Sequence, residues 1–262
     1  MSEQEQLNNK SSLEKRILTW LEKTGFPLEM NAAVPFRKHG FEVRQSSIVL
    51  DAQENKPREL DVIAIDPDNL GILSLTCVLE CKSSEQPWIV FVSEDALANY
   101  NRQFAFSVMS KDARSAIVDS VNTKSELWSK YFARSNRSGY AMRQALNDKD
   151  TAYTASMAVL KACDVITRKS YEGTLPSLNF AFPIIVVDTP IFECSKDSDG
   201  KLTVKQVRQS EFLFSSYIPD SVGCCIRVVH IDELEEVAKY FRSLCNDFRE
   251  FFHEFEKNAF KK

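Results

Sequence analysis

The chain has 262 residues, and its 33 Lys and Arg against 37 Asp and Glu give a formal net charge of −4 at pH 7. That length supports one large core, or one core with a substantial insertion, and the acidic balance argues against an autonomous reader of long DNA duplexes, whose interfaces lean on many cationic contacts. No run of 18 apolar residues occurs, and residues 1–12 lack the basic-then-apolar order of a signal peptide, so the expectation is a soluble cytoplasmic protein with no membrane partner.

Taken in chain order, Ser11 and Glu14 have capping-box spacing, and Leu13, Ile17, Trp20 and Leu21 recur at helical steps until Gly25 and Pro27 stop the run. This predicts a helix over 11–25 with Trp20 in the core. A second helical segment spans 28–39 and carries Pro35, where an interior proline costs about 3 kcal/mol or forces a kink. Residues 41–50 read as a strand. Runs at 60–65 and 72–82 flank the turn-rich Asp66-Pro67-Asp68-Asn69-Leu70-Gly71 and predict an antiparallel hairpin, with 88–92 as a fourth strand.

Residues 99–143 carry Arg102, Lys111, Arg114, Lys124, Lys130, Arg134, Arg137 and Arg143 against Asp112, Asp119 and Glu126, a local surplus of +5 in an acidic chain. Aromatics interleave with these cations, among them Tyr100, Phe104, Trp128, Tyr131 and Tyr140, a mixture that suits phosphates and unstacked bases. The bland reading is a helical cap with its rings inward and its charges solvated.

A long helix over 150–168 and an apolar strand over 180–187 follow. Next come a hairpin of 191–194 and 202–207 and strands at 212–218 and 224–229. From Asp232 the apolar stripe Leu234, Val237, Phe241, Leu244, Phe248, Phe251 and Phe255 predicts a last helix that closes the core or joins two protomers. The seven cysteines lie mostly in apolar runs without a Cys-x-x-Cys pair and are expected as reduced core residues, and His39, His230 and His253 lack metal-ligand spacing and are expected in surface or packing roles.

The chemistry concentrates in the hairpin. Side chains alternate along a strand, so Glu80 and Lys82 share one face of 72–82, and an antiparallel return brings Asp61 beside Glu80. About one Glu-x-Lys is expected by chance in a chain of this size, and Glu54-Asn55-Lys56 is such a copy, in polar sequence. The copy at Glu80 sits in an apolar run, where unpaired charge is expensive. Two carboxylates and the main-chain carbonyl of Cys81 make a hard oxygen pocket of the kind Mg²⁺ prefers, and the Lys82 ammonium beside it can hold an attacking water or stabilise developing charge.

An Asp on one strand and Glu-x-Lys on the next resembles the PD-(D/E)XK nuclease superfamily, over roughly the first 90 residues. Glu29, in Pro-Leu-Glu-Met-Asn-Ala-Ala-Val-Pro-Phe, resembles the helix glutamate of its restriction-endonuclease-like and Holliday-junction-resolvase-like members; Leu60 stands where many of them have Pro. The resemblance implies an α/β restriction-endonuclease-like core: a mixed central sheet flanked by helices, forming a single domain over 1–262 with a basic, aromatic helical insertion at about 93–147. It implies a Mg²⁺-dependent deoxyribonuclease, with Mn²⁺ as a substitute. Asp61, Glu80 and the Cys81 carbonyl would hold the metal, Lys82 would position water, and Glu29 would act through a bound water or a second ion. DNA is the default substrate, RNA is left open, and restriction or phage defence is the usual setting. The acidic charge adds an expected homodimer, partner protein or special DNA structure. The alternative is a non-catalytic module that binds nucleic acid or protein on the same fold.

Overall fold

In α2 (Phe26–Lys38) the proline-favouring first turn holds Pro27, and Leu28, Ala32, Ala33 and Phe36 form the buried face. Pro35 falls in the last turn and lacks the N–H that would bond the Asn31 carbonyl, yet the helix runs through it to Lys38. Its end is closed by paired bonds, Gly40 N–H to Arg37 C=O at 3.0 Å and Phe41 N–H to Phe36 C=O at 3.0 Å. Gly40 has φ +78°, the left-handed conformation that this ending requires. The accompanying apolar contact is Phe36 against Phe41, with ring centroids 5.4 Å apart.

The computed structural model describes residues 3–51, 56–68, 71–94, 96, 105–120, 125–132, 138–146, 150–168, 176–215 and 223–259. After α2, strands β1 (Glu42–Asp51), β2 (Lys56–Ile65) and β3 (Leu73–Lys82) form an antiparallel meander, with Val43 opposite Ala64 and Val62 opposite Leu79. The helix α5 (Thr151–Arg168) leads into β7 (Leu178–Val187), which lies parallel to β3 along its whole length, from Leu73 opposite Leu178 to Lys82 opposite Val187.

The remaining strands are β4 (Trp88–Ser93), β5 (Val108–Met109), β6 (Ser138–Gln144), β8 (Ile191–Lys196), β9 (Leu202–Val207), β10 (Gln209–Phe214) and β11 (Cys224–His230). Among the described residues they complete an eleven-stranded mixed sheet of order β1-β2-β3-β7-β11-β10-β6-β4-β8-β9, with β5 antiparallel beside β7.

Helices cover both faces. On one, α2, α3 (Lys111–Ser120) and the last helix α6 (Leu234–Ala259) pack on Leu75, Leu79, Phe180, Phe182 and Val186. On the other, α5 packs on Val78, Ala181, Ile185 and Val187. The alternate residues of β7 thus serve two cores, which is why that strand reads as an uninterrupted apolar run. The α6 stripe closes the core: Phe241 meets Phe182 at 5.0 Å and Phe248 meets Phe180 at 5.3 Å. Each such ring contributes about 1.5–3 kcal/mol on burial.

A second attachment of α6 is ionic. Arg242 donates from Nε to the His39 carbonyl (2.8 Å), lies 4.1 Å over the Phe41 ring, and pairs through Nη1 with Asp66 at the end of β2. Arg249 holds the other Asp66 oxygen at 2.5 Å, and the Asp66 side chain is only 1% exposed.

Three sequence expectations need correction. The first helix, α1 (Glu3–Leu21), begins well before Ser11, because residues 3–10 contain no Gly or Pro to stop it. Its stripe does not enter the core: Trp20 is 59% exposed, and Leu13 and Ile17 are exposed as well. Helical spacing fixes which residues share a face, not whether anything covers it.

The segment 93–147 is not purely helical. Besides α3 and α4 (Ser125–Phe132) it supplies β5 and β6, and β6 joins β4 and β10 within the sheet. Gly139 permits that pairing, because a Cβ there would lie 2.5 Å from the Glu211 carbonyl oxygen and 2.6 Å from a Val90 methyl. Tyr100, Arg102, Phe104, Lys124, Arg134 and Arg137 lie outside the described residues. Finally, the strand expected at 212–218 is β10, which starts earlier and ends at Phe214; residues 216–218 are outside the described set.

The seven cysteines are buried thiols. His39 bonds Glu235 (2.9 Å) and His230 accepts from the Asp232 backbone N–H (3.3 Å), both packing roles. Among the described residues, no helix is long and apolar enough to cross a membrane.

Candidate active site

Along β3, Leu75, Cys77, Leu79 and Cys81 face the α2 and α6 core, which leaves Glu80 and Lys82 on the opposite face beside Ile185 and Val187. Lys82 Nζ lies 2.6 Å from Glu80 Oε1. The ladder of β2 with β3 ends at Val62 opposite Leu79, and Asp61 precedes Val62 on β2. Its Oδ2 accepts the Cys81 backbone N–H at 2.7 Å. Because N–H and C=O of one strand residue point to the same side, the Cys81 carbonyl is directed to that side too.

Glu29 reaches the site from α2, half-buried. Gln45 of β1 holds the helix there, donating from Nε2 to the Glu29 carbonyl (3.3 Å), while Arg37 Nη2 fixes Gln45 Oε1 at 2.6 Å.

The electrostatics tie the four side chains together. Burial raises the Glu29 pKa, and the charges of Asp61 and Glu59 raise it further. Burial also raises Asp61, opposed by the Cys81 bond and by Lys82. For Glu80 burial again dominates, opposed by Lys82 and reinforced by Asp61 and Glu29. Burial works to lower Lys82, but Glu80 and Asp61 outweigh it and hold the ammonium charged. Glu29, Asp61 and Glu80 against Lys82 leave a formal surplus of two negative charges in a partly desolvated place, with Glu59 adding to it from the exposed side of β2.

The structure therefore brings together Glu29, Asp61, Glu80, Cys81 and Lys82. Three supports were not read from the sequence as part of the site: two glutamines, and Asp188, which with Glu193 could lie near the centre but has no spacing argument to place it there. Asp188, at the end of β7, accepts Ser83 Oγ at 2.5 Å and the Ser84 N–H at 3.1 Å, fixing the chain just after Lys82. Buried Gln144 donates to Ser84 Oγ, and Gln45 holds α2. Asp188 had a signal, being the polar residue at the carboxyl end of an apolar parallel strand. The two glutamines had none, since their roles depend on pairings between distant strands. Glu193, by contrast, accepts from Ser210 (2.8 Å) on β10.

Among the described residues, no three His, Cys, Asp or Glu side chains gather tightly enough to hold a metal by side chains alone. The donor set at hand is two carboxylates and one main-chain carbonyl. These are all hard oxygens with uncompensated buried charge, which fits a cation that keeps much of its water, as Mg²⁺ does. No family model, curated protein or solved structure matches this chain.

Proposed function

We propose that this protein is a metal-dependent nuclease that hydrolyses phosphodiester bonds of DNA. The observation that carries the reading is the Glu80–Lys82 pair at 2.6 Å with Asp61 anchored to the backbone between them and the charge of Glu29 felt by Glu80. A structural ion pair needs one carboxylate; a surplus of buried ones calls for a further cation. The run α2, β1, β2, β3, followed after the inserted elements by α5 and by β7 parallel to β3, supports the restriction-endonuclease-like core that the motif implies.

On this reading Asp61, Glu80 and the Cys81 carbonyl hold Mg²⁺, with Mn²⁺ as a substitute. The ion supplies a Lewis acid for the phosphate and lowers the pKa of a bound water. Lys82 stays protonated, orients the attacking water and offsets charge gathering on the phosphate oxygens. Glu29, the most exposed carboxylate, acts through a water, and Ser83 and Ser84, locked by Asp188, keep Lys82 from drifting. A restriction or phage-defence setting, and action as a homodimer or with a partner protein, belong to the same proposal.

One observation favours a second reading, a non-catalytic module: Lys82 already engages Glu80 at 2.6 Å, as a structural bridge would. Incubation of wild type and Lys82→Ala with supercoiled, linear and single-stranded DNA and with RNA, in Mg²⁺, Mn²⁺ or EDTA, separates the two. Metal-dependent cleavage lost in the variant supports the nuclease; absence of cleavage on every substrate favours the module.

A further inference from the structure

A groove of about 370 Å³ runs between β6, β10 and the first turns of α5. Tyr140 of β6, 56% exposed, stands on one wall with the Phe91 ring behind it at 6.2 Å; Tyr153 of α5, 51% exposed, stands on the other, 5.9 Å from the Phe214 ring. The floor between them includes the buried Met142 and Phe212. A ring supported by a second ring is already ordered, so an incoming flat group meets a prepared surface. Arg143 is the one charged residue among the described residues lining the groove, and its bond to Asp150 is a 3.3 Å exposed pair of the weak, exchangeable kind. Among the described residues the lining is aromatic and cationic, with Asp150 outside it as the partner of Arg143, which complements a ligand that is both flat and anionic.

Both walls are tied to the segment that leaves the candidate active site. Gln144, next to Arg143, donates to Ser84 Oγ and accepts from Thr151 Oγ1 at 2.8 Å; Ser84 follows Lys82 by two residues, as Tyr153 follows Thr151.

We propose that this groove binds an unpaired nucleic-acid strand, stacking bases on Tyr140 and Tyr153 with Arg143 at a phosphate between them, so that the substrate is single-stranded or presents a single-stranded end. Paired bases hide their faces within the duplex stack, and only an unpaired strand can offer them to two separate rings. The inference rests on the nuclease reading for what happens to the strand, but the binding can be measured without cleavage.

The experiment is fluorescence anisotropy in EDTA with a short labelled oligothymidylate and a matching duplex. It compares wild type, Lys82→Ala, the pair Tyr140→Ala/Tyr153→Ala and the pair Tyr140→Phe/Tyr153→Phe. Wild type is expected to prefer the single strand. The alanine pair should bind it about 100-fold more weakly and the phenylalanine pair within about twofold of wild type, because stacking uses the ring and not the hydroxyl. Both tyrosines are exposed, so unchanged melting temperatures are expected to show that the variants are folded. Equal binding by the alanine pair, preference for the duplex, or no binding by wild type overturns the proposal. A protein that binds the strand through both rings yet cleaves nothing supports the groove while removing the nuclease reading.

Discussion

Asp61 Oδ2 accepts the backbone N–H of Cys81 at 2.7 Å, so a carboxylate on β2 is fixed to the residue between Glu80 and Lys82 on β3. An Asn at position 61 can still accept that bond but brings no charge. Asp61→Asn should therefore fold, with a melting temperature in EDTA equal to or above wild type because one crowded carboxylate is neutralised. Cleavage should fall by about 100-fold or more. The Mg²⁺-induced stabilisation expected of wild type, about 2.7 kcal/mol at 100 times Kd and read as a rise in melting temperature, should vanish; a shift that survives in the variant would place the metal elsewhere.

Lys82→Met keeps the length of the side chain and removes its charge. Glu80 then faces Asp61 and Glu29 without its 2.6 Å partner, so the metal-free protein should lose about 1–3 kcal/mol in urea denaturation. Cleavage should be lost with it. Undiminished cleavage would mean that Lys82 serves only as a structural counter-ion.

The pH dependence has a definite sign. Burial raises Glu29, Asp61 and Glu80 above the ordinary 4.5, 3.8 and 4.5, so the folded chain retains protons that the unfolded chain has already released. Their contribution is fully favourable below the ordinary values and is lost as pH rises through the raised ones. In EDTA, wild type should lose stability relative to Asp61→Asn/Glu80→Gln as pH rises from about 4 towards neutrality, and Mg²⁺ should close the gap near neutral pH. A difference independent of pH would show that these carboxylates are not held in this desolvated state.

Gly139→Ala tests the sheet itself. The added methyl would meet the Glu211 carbonyl oxygen, a Val90 methyl and the Phe212 Cβ, all within 2.7 Å, and two of the three atoms belong to or adjoin rigid strand backbone. The expected cost is about 2–3 kcal/mol, a fall in melting temperature of roughly 4–12 °C. A stable variant would mean that β4, β6 and β10 are not packed this closely.

The part of the site within β2 and β3 was readable because its signals are local: alternation put Glu80 and Lys82 on one face, and Asp66, Pro67 and Gly71 marked the return. Glu29 was found through resemblance, since nothing in its own helix distinguishes it from Glu14 or Glu22. The rest depends on pairings between residues far apart in sequence. The parallel contact of β11 with β7, and that of β4 with β8, leave no local trace, so the order of the wide sheet could not be read, nor could the supports Gln45 and Gln144. Trp20 failed for a related reason: its periodicity is genuine, but the partner that a buried stripe needs is not among the described elements.

Arg242 reaches three places at once: the end of α2 at His39, the Phe41 ring and Asp66. Arg242→Met keeps the stem over Phe41 but strips the His39 carbonyl and leaves Asp66 to Arg249 alone. The expected loss is about 2–4 kcal/mol, with faster amide exchange in α2 than in β3; equal protection of the two elements would show that α2 is held by apolar packing alone.

The order in which these parts are made carries a consequence. Every residue proposed for the chemistry lies before position 83, yet the helix that carries Glu29 is seated on α6, which spans Leu234–Ala259, as well as on β1 and β2. During synthesis the reactive groups leave the ribosome long before their brace does, since chains emerge from the N-terminus onward. If the chain is the nuclease proposed, its motif would thus emerge before the last of its supports, and a product broken off before α6 would carry the whole motif with the Glu29 helix braced on one side only.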